Sequence, residues 1–370
     1  MIADVYVAKG DNPVQITYQV IEKAFTDNAE GKSVLLKVNT GFKGPACSGL
    51  CTHPEVVRGL IRFFKNRKAS MIYVGDSSIV GTDSLEALEA AGITAVCRDE
   101  QVECLNLDDT GIHSVSIPNP YMVESLRLSK LPFKVDYLIS VPVMKTHMYA
   151  GVTLGIKNLK GCMYQKDKTR LHRIDKPTPQ PSKGRCLDYG IADLAKVCYP
   201  DYTVADGFIA MEGFGPSGGT PVNLGVVVAS KTAVACDIVC LTLMGMEMDA
   251  IPHINLVADE KGFDLNNIRV HPKNYMQWAH RFLLASEHDL KQNYPNPVIV
   301  DKGACSGCHA AIIQFFRYHH HEFADGPKMT VCVGRDLTME DIAGENVIVV
   351  GNCTARYRNQ VPFCKGCPPV

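Results

Sequence analysis

The chain has no apolar run near the roughly 20 residues that a membrane helix needs. Its start, MIADVYVAKGDNP, lacks the basic region and apolar stretch of an export signal. A cytoplasmic protein with no membrane partner is therefore expected. Charge of one sign is missing too. The 38 Lys+Arg and 39 Asp+Glu leave a net charge of −1, which gives no reason to expect a nucleic-acid partner. There is no internal repeat and no low-complexity segment. What remains is globular in composition, 46% hydrophobic and 21% charged over 370 residues, enough for two or three domains with real cores. Cysteine is the excess: 15 residues in a chain without an export signal, which argues against a disulfide framework because the cytosol keeps thiols reduced. Scattered ones such as Cys97, Cys104, Cys198 and Cys236 read as small buried hydrophobes.

Strand-like and helix-like segments alternate along the chain. SVLLKVN (33–39), SMIYVGDSS (70–78) and DYLISVPVM (136–144) read as strands or strand and turn. PEVVRGLIRFFKNR (54–67) and SLEALEAAG (84–92) have helical apolar spacing. A second run follows from DYTVADGFIAMEGFGPSGG (201–219) through LGVVVAS (224–230) to AVACDIVCLTLMGM (233–246). This rhythm predicts an α/β fold, a parallel doubly wound sheet with its site at the carboxyl ends of the strands. The basic, proline-rich segment 166–185 reads as a long loop or lid. A change of character over 280–297 divides an α/β pocket domain (1–290, with room for two lobes) from a small C-terminal domain (291–370).

The C-terminal cysteines are too clustered for packing. Cys305-Ser-Gly-Cys308 follows one strand-like segment, Cys353 ends VIVVGNC, and Cys364 and Cys367 lie in FCKGCPPV. A close pair plus single cysteines on converging loops is what a four-thiolate iron or zinc site needs. The order CSGC, then G-x-C, then GCPP over about residues 297–370 resembles the proximal-cluster domain of nickel–iron hydrogenase small subunits and their complex I counterpart. That resemblance implies a flavodoxin-like sheet binding one [4Fe–4S] cluster through Cys305, Cys308, Cys353 and Cys367. Cys364 has no counterpart there, and zinc is the alternative metal. Cys332, inside MTVCVGRD, reads as packing, and the histidines at 319–321 as a helix end.

The strand ends gather polar residues. LLKVN offers Lys37 and Asn39, GDSS offers Asp76, Ser77 and Ser78, and KTHMYAGVTLGIKNLKG offers Lys145, His147, Lys157 and Lys160. His172 follows in the basic loop and Glu212 in EGFGPSGG. Small residues let a backbone approach a ligand. Lysine there neutralises a carboxylate or phosphate, or forms a covalent link once its pKa is lowered. Histidine serves as acid, base or metal ligand. Cys47 and Cys51, with His53 as a third group, could bind a metal or form a redox pair.

Over residues 33–260 the pieces LLKVN, THPEVVRGLI, VGDSS, VPVMKTH, GVTLGIKNLKG and ADGFIAMEGFGPSGGTP with AVACD resemble the family catalogued as domain of unknown function 362. That family is found mostly in anaerobes and often carries iron–sulfur clusters. The order His147, AG, Lys157, His172 is similar to that of the lactate racemase family. There the lysine carries a nickel-pincer nucleotide, a downstream histidine ligates nickel and another histidine is acid/base. Asp76 and Ser77 stand where that family has a catalytic histidine, which departs from racemisation.

The expected function is a cytoplasmic iron–sulfur redox enzyme acting on a small anion, a carboxylate or phosphate. Its catalytic residues would be His147, Lys157, His172 and Asp76. Lys37, Asn39, Ser77, Ser78, Lys145, Lys160 and Glu212 would bind substrate or cofactor, a second metal or organic cofactor at Lys157 included. Electron transfer would involve a partner such as a ferredoxin. The alternatives are a lactate-racemase-like isomerase with its cofactor on Lys157 and a non-enzymatic electron-transfer protein.

Overall fold

The computed structural model describes residues 2–174, 176–284, 297–304, 306–323 and 326–366. Seventeen strands are formed by these residues: β1 (Ala3–Lys9), β2 (Ser33–Lys37), β3 (Met71–Asp76), β4 (Glu103–Asn106), β5 (Ile112–Ser116), β6 (Ser125–Ser129), β7 (Tyr137–Ser140), β8 (Val143–His147), β9 (Gly151–Thr153), β10 (Tyr202–Glu212), β11 (Thr220–Val222), β12 (Val226–Ser230), β13 (Ile268–His271), β14 (Pro297–Asp301), β15 (Met329–Val333), β16 (Val347–Val350) and β17 (Phe363–Cys364). The large sheet runs β13-β1-β12-β10-β7-β2-β3-β4. Neighbours in it are parallel except β12, which is antiparallel to both β1 and β10. β8 and β9 extend it beside β10, and β5–β6 form a separate hairpin.

Alternation along the strands fills two cores. Val34 and Leu36 of β2 face one core and Leu35 the other; Val227 and Ala229 of β12 divide from Val226 and Val228 in the same way. Helices Pro13–Ala24 and Pro54–Asn66, with the pair Ser84–Ala90 and Ile93–Asp99, close one face. Helices Cys186–Val197, Ala233–Leu243 and Pro252–Glu260 close the other. This is the expected α/β layering of a mainly parallel sheet with helices on both sides. The segment expected as one strand over 136–144 is two. Pro142 separates β7 from β8, because it has no N–H to give to the ladder.

The C-terminal region has its own four-stranded sheet, all parallel, in the order β14-β15-β16-β17. Helix Ser306–Phe323 packs against it through Cys308, Ile312 and Phe316. Among the described residues no helix is long and apolar enough to cross a membrane.

Candidate anion-binding cavity

Parallel strands end together, so their last side chains share one space. Lys37 ends β2 and Asp76 ends β3, and they form a buried ion pair of 2.8 Å. Lys37 Nζ also donates to Asn158 Oδ1 at 2.8 Å, and Asp76 Oδ2 accepts from Thr40 N at 2.7 Å. The Gly161 backbone lies against this pair, so that any Cβ there would collide with Asp76 Oδ1 and Lys37 Nζ. β8 adds Lys145 and His147. A single helical turn, Gly155–Asn158, adds Lys157. That turn is held by the buried Asp237, whose carboxylate accepts from Gly155 N at 2.7 Å and Ile156 N at 2.9 Å.

The segment expected as a lid holds short helical turns, one of them Asp167–Arg170. It crosses the strand ends and contributes Lys168 and His172. Together these residues line one cavity of about 470 Å³, the size of a small-molecule site, about 300–1,000 Å³. Asn39, Ser77 and Lys160 line it as well.

The cavity is electrostatically one-sided. Lys37, Lys145, Lys157, Lys160, Lys168 and Arg173 line it, and Asp76 is its one carboxylate among the described residues. Asp76 is paired to Lys37, and Lys168 lies 3.5 Å from Asp108 just behind the wall. No described carboxylate pairs with Lys145, Lys157 or Lys160. Burial lowers the affinity of each for its proton, and neighbouring ammonium groups add to the effect at Lys157 and Lys160. Lys145 is drawn down to about 8 and Lys160 to about 7. Lys157 falls well below the usual range, through burial and then Lys160, Lys145 and Lys37. Burial, seconded by Lys157 at His147 and by Lys160 at His172, keeps both imidazoles neutral. His147 Nδ1 accepts from Tyr149 N at 3.0 Å, which leaves the ring proton on Nε2. Lys160 Nζ meets His172 Nε2. Thr153 Oγ1, buried in the cavity wall, has no hydrogen-bond partner within the described protein.

The expected residues His147, Lys157, His172, Asp76, Lys37, Asn39, Ser77, Lys145 and Lys160 are thus brought together. Two are not. Ser78 serves the turn after β3: its N–H reaches Ser84 Oγ at 3.0 Å and its hydroxyl donates to Thr40 O at 2.7 Å. Glu212 turns to the chain beyond β13 and accepts from Leu283 N at 3.0 Å. Pro216 and Ser217, from the same glycine-rich turn, line the cavity instead. Lys168, Thr153, Asn158 and Gln314 are lining residues that the sequence reading missed. Lys168 had only a signal of composition, a basic loop, and Gln314 had none.

Two of the four expected cluster ligands, Cys305 and Cys367, lie outside the described residues. The other two converge. A Cβ built on Gly351 would lie 2.7 Å from Cys308 Sγ and 3.7 Å from Cys353 Sγ. The chain approaching Cys367 is delivered to the same place: Gly366 N donates to Asn352 Oδ1 at 3.0 Å and Asn352 N to Gly366 O at 2.8 Å. Cys308 and Cys353 are thus two converging thiols of the four that a thiolate-bound cluster needs. Among the described residues alone, no group of three or more metal-ligating side chains forms. Cys364 packs with the core beside helix Ser306–Phe323. Cys332 is buried, its thiol directed to Asp341 O at 3.2 Å. Among the described residues Cys47 and Cys51 belong to no group of three or more metal-ligating side chains. Cys47 Sγ contacts His53 Nε2 at 3.1 Å, while Cys51 Sγ turns to Phe42 O at 3.3 Å.

Residues 34–242 match the family described as a domain of unknown function, DUF362, over more than half of the chain. The protein belongs to that family. A thylakoid-associated protein of Synechocystis sp. is 34% identical over 234 residues, which cover 62% of this chain and 68% of that protein. The lactate racemase apoprotein of Thermoanaerobacterium thermosaccharolyticum superposes with a TM-score of 0.43 at 15% identity, over 66% of this chain and 57% of that chain. A protein of Thermotoga maritima gives a TM-score of 0.35 at 13% identity, over 58% of this chain and 55% of that one.

Proposed function

We propose that this chain is a cytoplasmic iron–sulfur redox enzyme whose cavity holds a small carboxylate or phosphate. The observation that carries the reading is the charge imbalance of the cavity. Lys145, Lys157 and Lys160 are gathered there without a described carboxylate to pair them. Burying like charges together is costly unless a counter-charge completes the site. A dianionic or monoanionic ligand supplies that counter-charge, with the Thr153 hydroxyl as a further donor.

A [4Fe–4S] cluster on Cys305, Cys308, Cys353 and Cys367 would supply single electrons. The helix that carries Cys308 also presents Gln314 to the cavity wall. Six residues of helix rise separate the two, about 9 Å, which supports direct exchange between the C-terminal region and the bound anion. A ferredoxin-like protein would then be the external partner. His147, with its fixed tautomer, would hold or give the accompanying proton.

The joint presence of His147, Lys157 and His172 in one cavity supports a second reading, an isomerase with a nickel-pincer cofactor on Lys157. Against it stands Asp76, committed to Lys37 where that chemistry needs a second base. One anaerobic preparation tests both. The redox reading expects iron and sulfide, an unmodified Lys157 by intact mass, and calorimetric binding of inorganic phosphate or a short carboxylate. Nickel with a mass increase at Lys157 supports the isomerase. Iron with no anion binding leaves a non-enzymatic electron carrier.

A further inference from the structure

Ser77 is the first residue after β3 and lines the cavity, almost wholly buried. Its hydroxyl donates to Asp108 Oδ2 at 2.6 Å, within the range of a short bond to a carboxylate. Its oxygen accepts from Lys168 Nζ, which also lies 3.5 Å from Asp108 Oδ2. A hydroxyl so placed has a base for its proton and a cation for the oxygen left behind, the arrangement of an activated nucleophile. Asp108 Oδ1 accepts from Gln165 N at 3.1 Å and Ser129 Oγ at 3.4 Å, which fixes the carboxylate. Asp108 also lines a second, open groove of about 290 Å³, which Lys168 lines as well. A proton taken from Ser77 therefore has a way to solvent that does not cross the cavity.

We propose that Ser77 is a nucleophile that accepts a phosphoryl group, with Asp108 as its general base and Lys168 as the stabilising cation. This rests on the anion-binding reading of the cavity and chooses phosphate over carboxylate within it. Phosphoryl transfer asks the protein mainly for positioning and for positive charge around the transferring group. Lys37, Lys157 and Lys160 line the same cavity and supply that charge. In the step, a bond forms between Ser77 Oγ and phosphorus. The bond from phosphorus to the leaving oxygen breaks, and its electron pair stays with the leaving group. The Ser77 proton passes to Asp108. An acyl phosphate or phosphoanhydride is the donor class, since its leaving group departs as a stabilised anion.

The test uses acetyl phosphate as donor and the full chain as isolated. Intact mass and peptide mapping should find one phosphoryl group per chain, on the peptide that contains Ser77. S77A should abolish the adduct, and D108N should slow its formation about 10²-fold, the usual worth of a general base. Thermal denaturation checks that both variants fold; the wild-type mapping stands without them. Calorimetry with inorganic phosphate separates the two ideas. Phosphate binding with no adduct, or with an adduct on His147, His172 or a lysine, overturns the Ser77 assignment and leaves the anion cavity intact. No phosphate or carboxylate binding at all overturns the cavity reading itself.

Discussion

Lys157 reaches the cavity with most of its side chain buried and no acidic partner among the described residues. Its worth lies in binding rather than in stability. K157M should weaken phosphate binding about 10- to 100-fold, the value of one charged hydrogen bond at about 1.5–3 kcal/mol. The same change should leave the apo melting temperature unchanged or raise it by about 2 °C, because methionine does not carry the cost of a buried amine whose proton is disfavoured. A lowered melting temperature together with unchanged binding would contradict the assignment. The pH dependence has a definite sign. Lys160 and Lys145 titrate at about 7 and about 8 in the folded protein against about 10.4 when unfolded. Between about pH 7 and pH 10 the unfolded chain therefore holds more protons, and apo stability should rise with pH across that window. Anion affinity should run the opposite way, strongest below about pH 7 and falling as the lysines lose their protons. Denaturation and calorimetry from pH 6 to about 10 check both slopes. Sequence spacing could flag Lys157 and His147 because they stand at a strand end amid small residues. It could not flag Asp108 as the partner of Ser77, because the contact spans 31 residues and depends on how β4 and the β5–β6 hairpin pack.

The elements that aim these side chains are short and held from outside. The turn Gly155–Asn158 rests on Asp237 of helix Ala233–Leu243, far along the chain. The next turn brings Gly161 against the Lys37–Asp76 pair. G161A should push that pair apart and cost about 1–3 kcal/mol, as overpacking does, with a parallel loss of phosphate affinity. Denaturation and calorimetry on the same variant measure the two effects, and an unaltered protein would show that the pair is not fixed by this contact. The helices and the strands SVLLK and MIYVGD were legible because their apolar periodicity is strong. The break at Pro142 was written in the sequence as a residue with no N–H, but a strand on either side hid it. The antiparallel direction of β12 had no local signal, since VVVAS reads alike in both directions.

At the scale of the molecule, the strand ends of the large sheet and the C-terminal helix share one cavity. Gln314 of the C-terminal helix lines it, and Arg335, beyond β15, donates to Lys176 O and to Ile174 O of the lid segment, the latter at 3.4 Å. The composition of the C-terminal region pointed to a cluster. The individual residues that dock this region at the cavity were not legible, because exposed positions such as Gln314 carry no periodic pattern. C353S should abolish the visible absorbance and the iron content of an anaerobic preparation, while C364S should keep both. Loss of iron in both variants, or in neither, would require a different ligand set. The central question is whether a bound anion and the proposed cluster feel one another. A unit charge about 10 Å away contributes about 1.7 kcal/mol at an effective dielectric of 20, some tens of millivolts for one electron. The measurement is the reduction potential of the cluster in the anaerobic protein, with and without saturating phosphate whose binding is confirmed by calorimetry. The account predicts a shift to more negative potential by tens of millivolts, smaller in K157M at the same phosphate concentration. Phosphate bound with the potential unmoved would contradict it.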